Sequence, residues 1–352
     1  MVRRKRKIPQ MLVILCEGEK TEPYYLNQLK KYVGDRTPFD KIEIYPEIEK
    51  QAVKHTGKEI RPVKKLKGGK NNIRPYYIVK TEETIDDYNK FKSFPLRLVR
   101  EAFLFKQEDG FTDAWVVFDK DGHPNAQESF SYANEKDIHI AFSARSLEEW
   151  FLCHFERNTR AFSQTICPQC ESFLHGIGDA ETHCNGSNCL IGWLLGRFMH
   201  NYKKNSEDIF VKYSVHNMRT AFINASWTRS RSSEKKIWEQ NPYTDFDRLI
   251  DAVLDGQTKD KLNINQNFKW LALNTELDLL TLKQKSDKYS LETSSKNNFS
   301  VDVMYWSSDL KKMVDKKTFT ITKQTPLEID FPATSSIVEI KYKDTSYFYE
   351  KR

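Results

Sequence analysis

The sequence lacks the features that mark membrane and exported proteins. It has no uninterrupted run of 18 apolar residues, so no membrane-spanning helix is expected. Its beginning, MVRRKRKIPQ, is basic but holds no apolar signal region, so we expect a cytoplasmic protein with no membrane partner. Neither a tandem repeat nor a long low-complexity tract is present, which favours an ordinary globular fold.

The composition is sufficient for two domains, or for three. The chain has 352 residues, of which 39% are hydrophobic and 13% aromatic, enough to supply a core. The net charge of +7 is unevenly placed, because an expected insertion at about 50–75 and the run Arg3 to Lys7 are both strongly basic. Both segments suit a polyanion such as nucleic acid, and a solvated loop and tail are the alternative.

Two short acidic motifs each follow a strand-like apolar run. The run Met11–Cys16 is followed at once by Glu17-Gly-Glu-Lys, and the run 114–118 by Asp119-Lys-Asp121. A continuous apolar run of this length predicts a strand buried on both faces, as in a parallel sheet. Active sites of open α/β sheets lie at the carboxyl ends of the strands, so we expect the two motifs to converge.

The segments around these motifs alternate between helix and strand patterns. A helix is predicted after the first motif, with Thr21 as its cap and Pro23 in its first turn. Further helices are predicted over 95–106 and about 125–135, and strands at 41–45, 76–79 and 138–143. This order predicts an α/β domain with a mainly parallel sheet over residues 1–160.

The acidic motifs suit metal-dependent chemistry on a phosphate. Carboxylates that converge repel one another unless a cation lies between them, and Mg²⁺ prefers oxygen ligands. Lys20 and the N-terminus of the following helix can hold a phosphate, and His123 can serve as acid, base or outer ligand. Taken alone, each motif is also ordinary turn chemistry.

Together these residues resemble a known family. Glu17-Gly with Asp119-x-Asp121 is similar to the signature of Toprim domains, found in topoisomerases, bacterial primases and overcoming-lysogenization-defect nucleases. The strings VILCEGEKTEPYY, WVVFDKDGHP, SLEEWFLCHFE and NPYT resemble the RloB family in particular, over about residues 8–253. Family members look like small Toprim proteins encoded beside an ABC/SMC-type ATPase in bacterial defence loci. Related Toprim effectors are nucleases, including ones that cut transfer RNA.

The resemblance implies a Toprim-like fold and a set of site residues. By position, Glu17 is the first acid of the family, and Asp119 and Asp121 are its aspartate pair, which implies ligands for Mg²⁺ or Mn²⁺. Glu148 matches a glutamate that precedes a Trp-bearing helix, but the family's preceding Asn-Pro-Cys-Phe is Ala-Arg-Ser-Leu here. The choice between Glu148 and its neighbour Glu149 stays open, and plain stabilisation of a helix N-terminus is the alternative for both.

Four of the six cysteines have the spacing of a structural zinc site. The predicted Zn²⁺ ligands are Cys167, Cys170, Cys184 and Cys189. In a cytosolic protein this pattern favours metal over disulfides, and four thiolates leave no open position for catalysis. His175 or His183 in place of one cysteine is an alternative ligand, and four unrelated thiols are another. Cys16 and Cys153 lie in apolar runs and are predicted to be core residues.

The alternation of helix and strand patterns ends at about residue 160. The cysteine-bearing insert, a helix over 190–204 and later helices predict a helical extension over 161–255, and the polar residues 255–262 predict a linker. A period-two pattern then predicts seven short strands, at 268–273, 277–282, 289–292, 299–305, 319–322, 327–331 and 337–342. These strands predict a β-sandwich accessory domain over 263–352.

Three classes of function compete. The leading hypothesis is a Mg²⁺-dependent endonuclease that cleaves RNA such as tRNA, or DNA, and acts in antiviral defence with an ATPase partner. A non-catalytic nucleic-acid sensor or assembly subunit is the second class. Primer synthesis or strand passage is the third, but no nucleotide site or nucleophilic tyrosine is marked in the sequence. Nucleic acid and the ATPase are the expected partners, and a homodimer is an open alternative.

Overall fold

The chain forms two compact units that each draw on separate segments of the sequence. The computed structural model describes residues 8–46, 93–120, 123, 126–177, 181–204, 209–231, 235–264, 267–271, 273, 276–285, 288–295, 297–308, 310, 312–322, 325–343 and 345–351. The basic insertion, the strand expected at 76–79 and Asp121 lie outside these residues. The first unit comprises Met1–Glu149, Arg160–Tyr213 and Lys236–Asp255, and the second Trp150–Thr159, Ser214–Lys235 and Gly256–Arg352. The expected division into three successive segments stays a prediction.

A four-stranded parallel sheet lies at the centre of the first unit. Its strands are β1 (Met11–Cys16), β2 (Lys41–Tyr45), β3 (Asp113–Asp119) and β4 (His139–Ser143), in the order β2-β1-β3-β4. All neighbouring pairs run parallel, and Cys16 lies opposite Val117, so β1 and β3 end at the same edge. The predicted parallel-sheet α/β domain is therefore confirmed.

Nine α-helices occur within the described residues. In chain order they are α1 (Thr21–Val33), α2 (Phe94–Glu108), α3 (Ala126–Lys136), α4 (Glu148–Cys153), α5 (Pro168–His175), α6 (Leu190–Arg197), α7 (Met218–Ser230), α8 (Phe246–Val253) and α9 (Gly256–Leu262). A π-helical turn (Phe210–Ser214) and two 3₁₀ turns (Val215–Asn217 and Ile237–Glu239) complete the helical elements. Among the residues that the structure describes, no helix has the length and the apolar character needed to cross a membrane.

Two helix predictions and one linker prediction need correction. Thr21 was expected to cap α1, but Lys20 is the N-cap and Thr21 lies buried in the first turn. The helix predicted over 190–204 ends at Arg197, because Phe198 leaves the helical conformation at φ −130°. The linker predicted at 255–262 is helix α9, whose Thr258 is buried. Its surface is otherwise polar, so the sequence carries no apolar stripe that would have marked a helix.

The apolar strands explain how the sheet of the first unit is held. Every residue of β1 from Leu12 to Cys16 is buried, as expected for a strand covered on both faces. On one face Val13 and Leu15 join Val116 and Phe118 of β3 in a core cluster with the apolar side of α2. This packing fixes the strand ends, and therefore the residues that follow them.

The second unit contains an all-β region, as predicted, with two sheets that share one core. Its strands are β5 (Asn267–Trp270), β6 (Glu276–Leu277), β7 (Leu280–Lys285), β8 (Lys288–Thr293), β9 (Phe299–Trp306), β10 (Met313–Ile321), β11 (Leu327–Ile329), β12 (Ile337–Tyr342) and β13 (Thr345–Glu350). The orders are β10-β9-β12-β13-β5 and β11-β8-β7-β6. Side chains of both sheets, such as Leu282 and Ile340, form a common hydrophobic cluster. Helix α7 also packs on this region, since Ile223 shares a second cluster with Ile337 and Phe348.

One strand prediction in this region was wrong, and one strand was not predicted. The strand expected at 277–282 is a hairpin between β6 and β7, with Asp278 at a left-handed φ of 55°. The carboxylate of Asp278 accepts hydrogen bonds from Lys269 and Tyr347, at 2.7 and 2.8 Å, which stabilises this turn. The strand that was not predicted is β13, which pairs with β12 and carries the buried Phe348.

Candidate functional site

The two acidic motifs converge at the carboxyl edge of the parallel sheet. The N–H of Glu17 donates to the carbonyl of Val117 in β3 at 2.8 Å, which extends the β1–β3 pairing past the end of β1. In return, the N–H of Asp119 donates to Oε2 of Glu17 at 3.1 Å. Glu17 and Asp119, predicted from motifs about a hundred residues apart, are thus brought together by the sheet.

His123 contacts the first of these acids. Its Nε2 lies 2.6 Å from Oε1 of Glu17, and each side chain is about one fifth exposed, at 18% and 19%. Both carboxylate oxygens of Glu17 therefore have a partner from the second motif. Asp121, the other acid of that motif, lies outside the described residues.

Five acids line one open pocket, which we call the acidic pocket. It has a volume of about 350 Å³. Its lining residues are Glu17, Gly18, Glu19, Lys20, Thr21, Glu22, Asp119, Ser146, Glu148 and Lys204. Of the two neighbouring glutamates left open by the sequence, Glu148 lies in the wall of this pocket and the buried Glu149 does not.

Glu148 is held by a buried tyrosine. The hydroxyl of Tyr202 donates to Oε1 of Glu148 at 2.6 Å, and both side chains are shielded from water. Burial raises the pKa of the Tyr202 phenol well above its ordinary value, and the Glu148 carboxylate adds to this effect. The phenol therefore stays protonated as a donor, and it fixes the direction in which the carboxylate points.

Glu22 is an acid of the pocket that the sequence analysis missed. It lies in the first turn of α1 and is buried. Burial raises the pKa of Glu22 to about 7, and the charges of Glu148 and Glu17 act in the same direction. Gly18 lies directly beside it, and a Cβ at this position would displace the Glu22 carboxylate from where it lies. The available signal was a glutamate one helical turn after the Glu-Gly motif.

Two lysines accompany the acids. Lys20, the predicted phosphate-binding residue, is exposed at the N-terminus of α1 and lines the pocket. Lys204 was not predicted; it lines the same pocket, and its charge partly offsets the rise in the pKa of Glu22. Since Lys204 is distant from both motifs in sequence, only the folded chain places it here.

The four predicted cysteines come together as a group. Their sulfur atoms all lie within 4.8 Å of one another, and all four side chains are buried. Among the described residues they form the one group of three or more His, Cys, Asp and Glu ligand atoms that is this close. The His175 and His183 alternatives are therefore not needed to complete a four-ligand set.

The sulfur spacing fits a tetrahedral metal site. Cys170 and Cys184 have their sulfurs 3.5 Å apart, and Cys184 and Cys189 theirs 3.7 Å apart, far beyond a disulfide bond. Zn–S bonds of about 2.3 Å in a tetrahedron place the sulfurs about 3.8 Å apart. The N–H of Gly192 donates to the Cys189 sulfur at 3.2 Å, and a side chain at Gly192 would overlap Cys184. These four cysteines can hold a metal such as zinc.

Comparison with known proteins assigns the greater part of the chain to one family. The family described as RloB-like protein matches residues 12–253. No curated protein matches the chain. Among solved structures, the chain is similar to a crystal structure of CapF with the inhibitor 3-isopropenyl-tropolone, at 9% identity and a TM-score of 0.20. That match covers 96% of this chain and 93% of the CapF chain, and a likeness this weak carries no argument about function.

Proposed function

Because the chain belongs to the RloB-like protein family, we propose that it is a metal-dependent nuclease of the Toprim type. It would cleave phosphodiester bonds in nucleic acid, either RNA such as tRNA or DNA. The observation that carries this proposal is the hydrogen bond from the Asp119 N–H to Glu17, which joins the two acidic motifs at one sheet edge. The Toprim assignment rests on these motifs and their order along the chain.

The acidic pocket offers the ligand type of a hard divalent cation, and a bound cation would have to draw its carboxylates together, since among the described residues only the cysteine sulfurs already form a metal-sized group. Glu17, Asp119 and Glu148 offer carboxylate oxygens, which is the ligand type that Mg²⁺ and Mn²⁺ prefer. When bound, such a cation supplies an activated water and neutralises charge on the scissile phosphate. Burial is the main reason that the pKa of Glu22 is raised, and the neighbouring carboxylates of Glu148 and Glu17 add to it, which is the crowding of negative charge that a cation would relieve.

The residues of the chain divide the remaining tasks. Lys20 and Lys204 lie at the pocket and can hold the phosphate that enters it. His123, hydrogen-bonded to Glu17, can orient that carboxylate and exchange a proton with it. Held by His123, Glu17 acts either as a metal ligand or as a general acid or base.

The biological setting in the proposal comes from the family. We propose that the nuclease acts in anti-phage defence and that an ABC/SMC-type ATPase encoded beside it is its partner. The proposal includes a soluble, cytoplasmic location, which suits this setting. The ATPase would control when nucleic acid reaches the acidic pocket, so the isolated chain is expected to be less active than the pair.

The experiment that tests the proposal is a cleavage assay with matched variants. Purified protein is incubated with plasmid DNA and with total RNA, in Mg²⁺, Mn²⁺ or EDTA, with and without the neighbouring ATPase. Glu17→Ala and Asp119→Ala should abolish cleavage, while Glu128→Ala, an exposed acid on α3, should leave it unchanged. Full activity in both pocket variants, with wild-type circular dichroism, would overturn the proposal.

One observation favours a second candidate function, a non-catalytic nucleic-acid-binding sensor. Both carboxylate oxygens of Glu17 are engaged by His123 and Asp119, as they would be in a purely structural role. Under this alternative the wild type binds nucleic acid but never cleaves it, with or without the ATPase. The Glu17→Ala variant would then lose folding stability rather than activity.

A further inference from the structure

A second pocket adjoins the acidic pocket in the first unit. It has a volume of about 460 Å³ and is lined by Lys20, Lys203 and Lys204 together with residues of the cysteine-bearing insert. We call it the lysine pocket. Its size lies within the range of ligand-binding clefts. Nothing in the proposed nuclease mechanism uses Lys203.

The two pockets share part of their walls. Lys20 and Lys204 line both the acidic pocket and the lysine pocket, so the two cavities meet at these side chains. An anionic chain that entered the acidic pocket could therefore continue into the lysine pocket without leaving the protein surface. Lysine ammonium groups on long stems suit phosphates whose positions vary along a strand.

The far wall of the lysine pocket comes from α5. Leu174, His175 and Glu171 of this helix line the cavity, and the cluster cysteine Cys170 lies on the same helix. The apolar Leu174 can contact a sugar or a base, whereas Glu171 opposes an anion. With three lysines against one glutamate, the balance of charge still favours an anion.

We propose that the lysine pocket binds the phosphate groups of the nucleic-acid strand that flank the phosphate held at the acidic pocket. The cysteine cluster then has a function besides stability, because it holds α5 in place as one wall of the strand path. This inference rests on the proposed nuclease function for the identity of the strand. The binding itself requires no cleavage, so the two can be tested apart.

The reason for such a subsite is electrostatic. The acidic pocket carries several carboxylates and by itself repels a phosphodiester. Lysines at its border offset this repulsion and draw the strand towards the site. Because these contacts involve phosphates rather than base edges, they should act on every sequence and depend strongly on salt.

The test measures binding by fluorescence anisotropy in EDTA, with the full chain and fluorescein-labelled oligouridylate and oligothymidylate. Lys203→Gln is the informative variant, because Lys203 is exposed and lines the lysine pocket but not the acidic pocket. We expect it to weaken binding of both oligonucleotides and to reduce the slope of log K against log salt by about 0.7. Glu171→Gln should strengthen binding.

The matched control is Lys31→Gln, an exposed lysine on α1, roughly 16 Å along the helix from Lys20. Equal salt slopes for Lys203→Gln and Lys31→Gln would overturn the proposal. The proposal would also be overturned if Lys203→Gln weakened the binding of fluorescent ATP but not that of the oligonucleotides, since that result indicates a site for free nucleotides. Binding that depends on Lys203, together with no cleavage in the assay with Mg²⁺ or Mn²⁺ and the ATPase, would support the subsite and reject the nuclease. Cleavage in that assay without a dependence of binding on Lys203 would do the reverse.

Discussion

The imidazole of His123 lies 2.6 Å from the carboxylate of Glu17, and it approaches the oxygen that Asp119 does not occupy. This contact joins the two motifs through side chains as well as through the backbone. It places His123 to set the direction in which the Glu17 carboxylate points.

We predict that His123→Ala lowers kcat for cleavage by about 100-fold, the smaller end of the range for acid–base residues, with little change in KM. The measurement is steady-state cleavage of the substrate identified in the assay above. His139→Ala is the control, because His139 is about half exposed on β4 and stacks on Trp115 away from Glu17. A His123→Ala variant as active as the control would contradict the role of this pair.

We predict that Glu22 makes stability fall as pH rises. Its folded-state pKa of about 7 exceeds the ordinary 4.5, so between these values the folded chain keeps a proton that the unfolded chain releases. The difference corresponds to about 3 kcal/mol of unfolding free energy. In EDTA, Glu22→Gln should gain this amount relative to wild type between about pH 4 and pH 8, measured by urea unfolding.

The control for this prediction is Glu19→Gln, which replaces an exposed glutamate of the same pocket. A stability difference between Glu22→Gln and wild type that stays constant over the whole pH range would show that Glu22 is ionised normally. Adding Mg²⁺ should reduce the gain, because a cation in the pocket lowers the cost of ionising Glu22.

We predict the opposite pH dependence from His154 in the second unit. Burial lowers the pKa of His154 to about 4 from the ordinary 6.5, and Nδ1 lies 2.9 Å from the carbonyl of Trp150. As pH falls from 6.5 towards 4, the unfolded chain gains a proton that the folded chain does not, so the unfolding free energy falls by about 3 kcal/mol. His154→Gln should lose this dependence while remaining less stable at neutral pH. If the unfolding free energies of the wild type and of His154→Gln fell by the same amount on acidification, this prediction would be wrong.

We predict that the four cysteines retain one zinc ion per chain. Cys170→Ser should lose most of the metal, because it removes one of four ligands, whereas Cys153→Ala, outside the cluster, should keep it. Mass spectrometry of the metal content after purification without chelators is the measurement. A wild-type protein that contains no zinc, or a Cys170→Ser variant with the full amount, would contradict the assignment.

The sequence predicted the elements whose signal is local. Continuous apolar runs identified β1 and β3, and the acids that follow them could be placed at one edge because parallel strands end together. The cysteine spacing likewise predicted a cluster that forms in the fold. In each case a few neighbouring residues carry the information.

The rest depends on contacts between distant residues. Lys204 and Tyr202 reach the acidic pocket from beyond the cysteine insert, and no local pattern marks them. Glu22 has the appearance of an ordinary acid in the first turn of a helix until its burial against Gly18 is known. The turn at Asp278 falls within a predicted strand, because its stabilising partner Tyr347 lies at the other end of the β region and leaves no local signal.

Helix α7 lies within the stretch that matches the RloB-like family, yet Ile223 packs against Ile337 and Phe348 far beyond that stretch. The indole N–H of Trp270 also donates to the carbonyl of Ile223, at 3.3 Å. If the family-matching segment were expressed by itself, the apolar face of α7 would be exposed to solvent, and the fragment would be prone to aggregate. Inactivity of such a fragment would not test the proposed nuclease function, so a shortened protein should keep the strands of the β region.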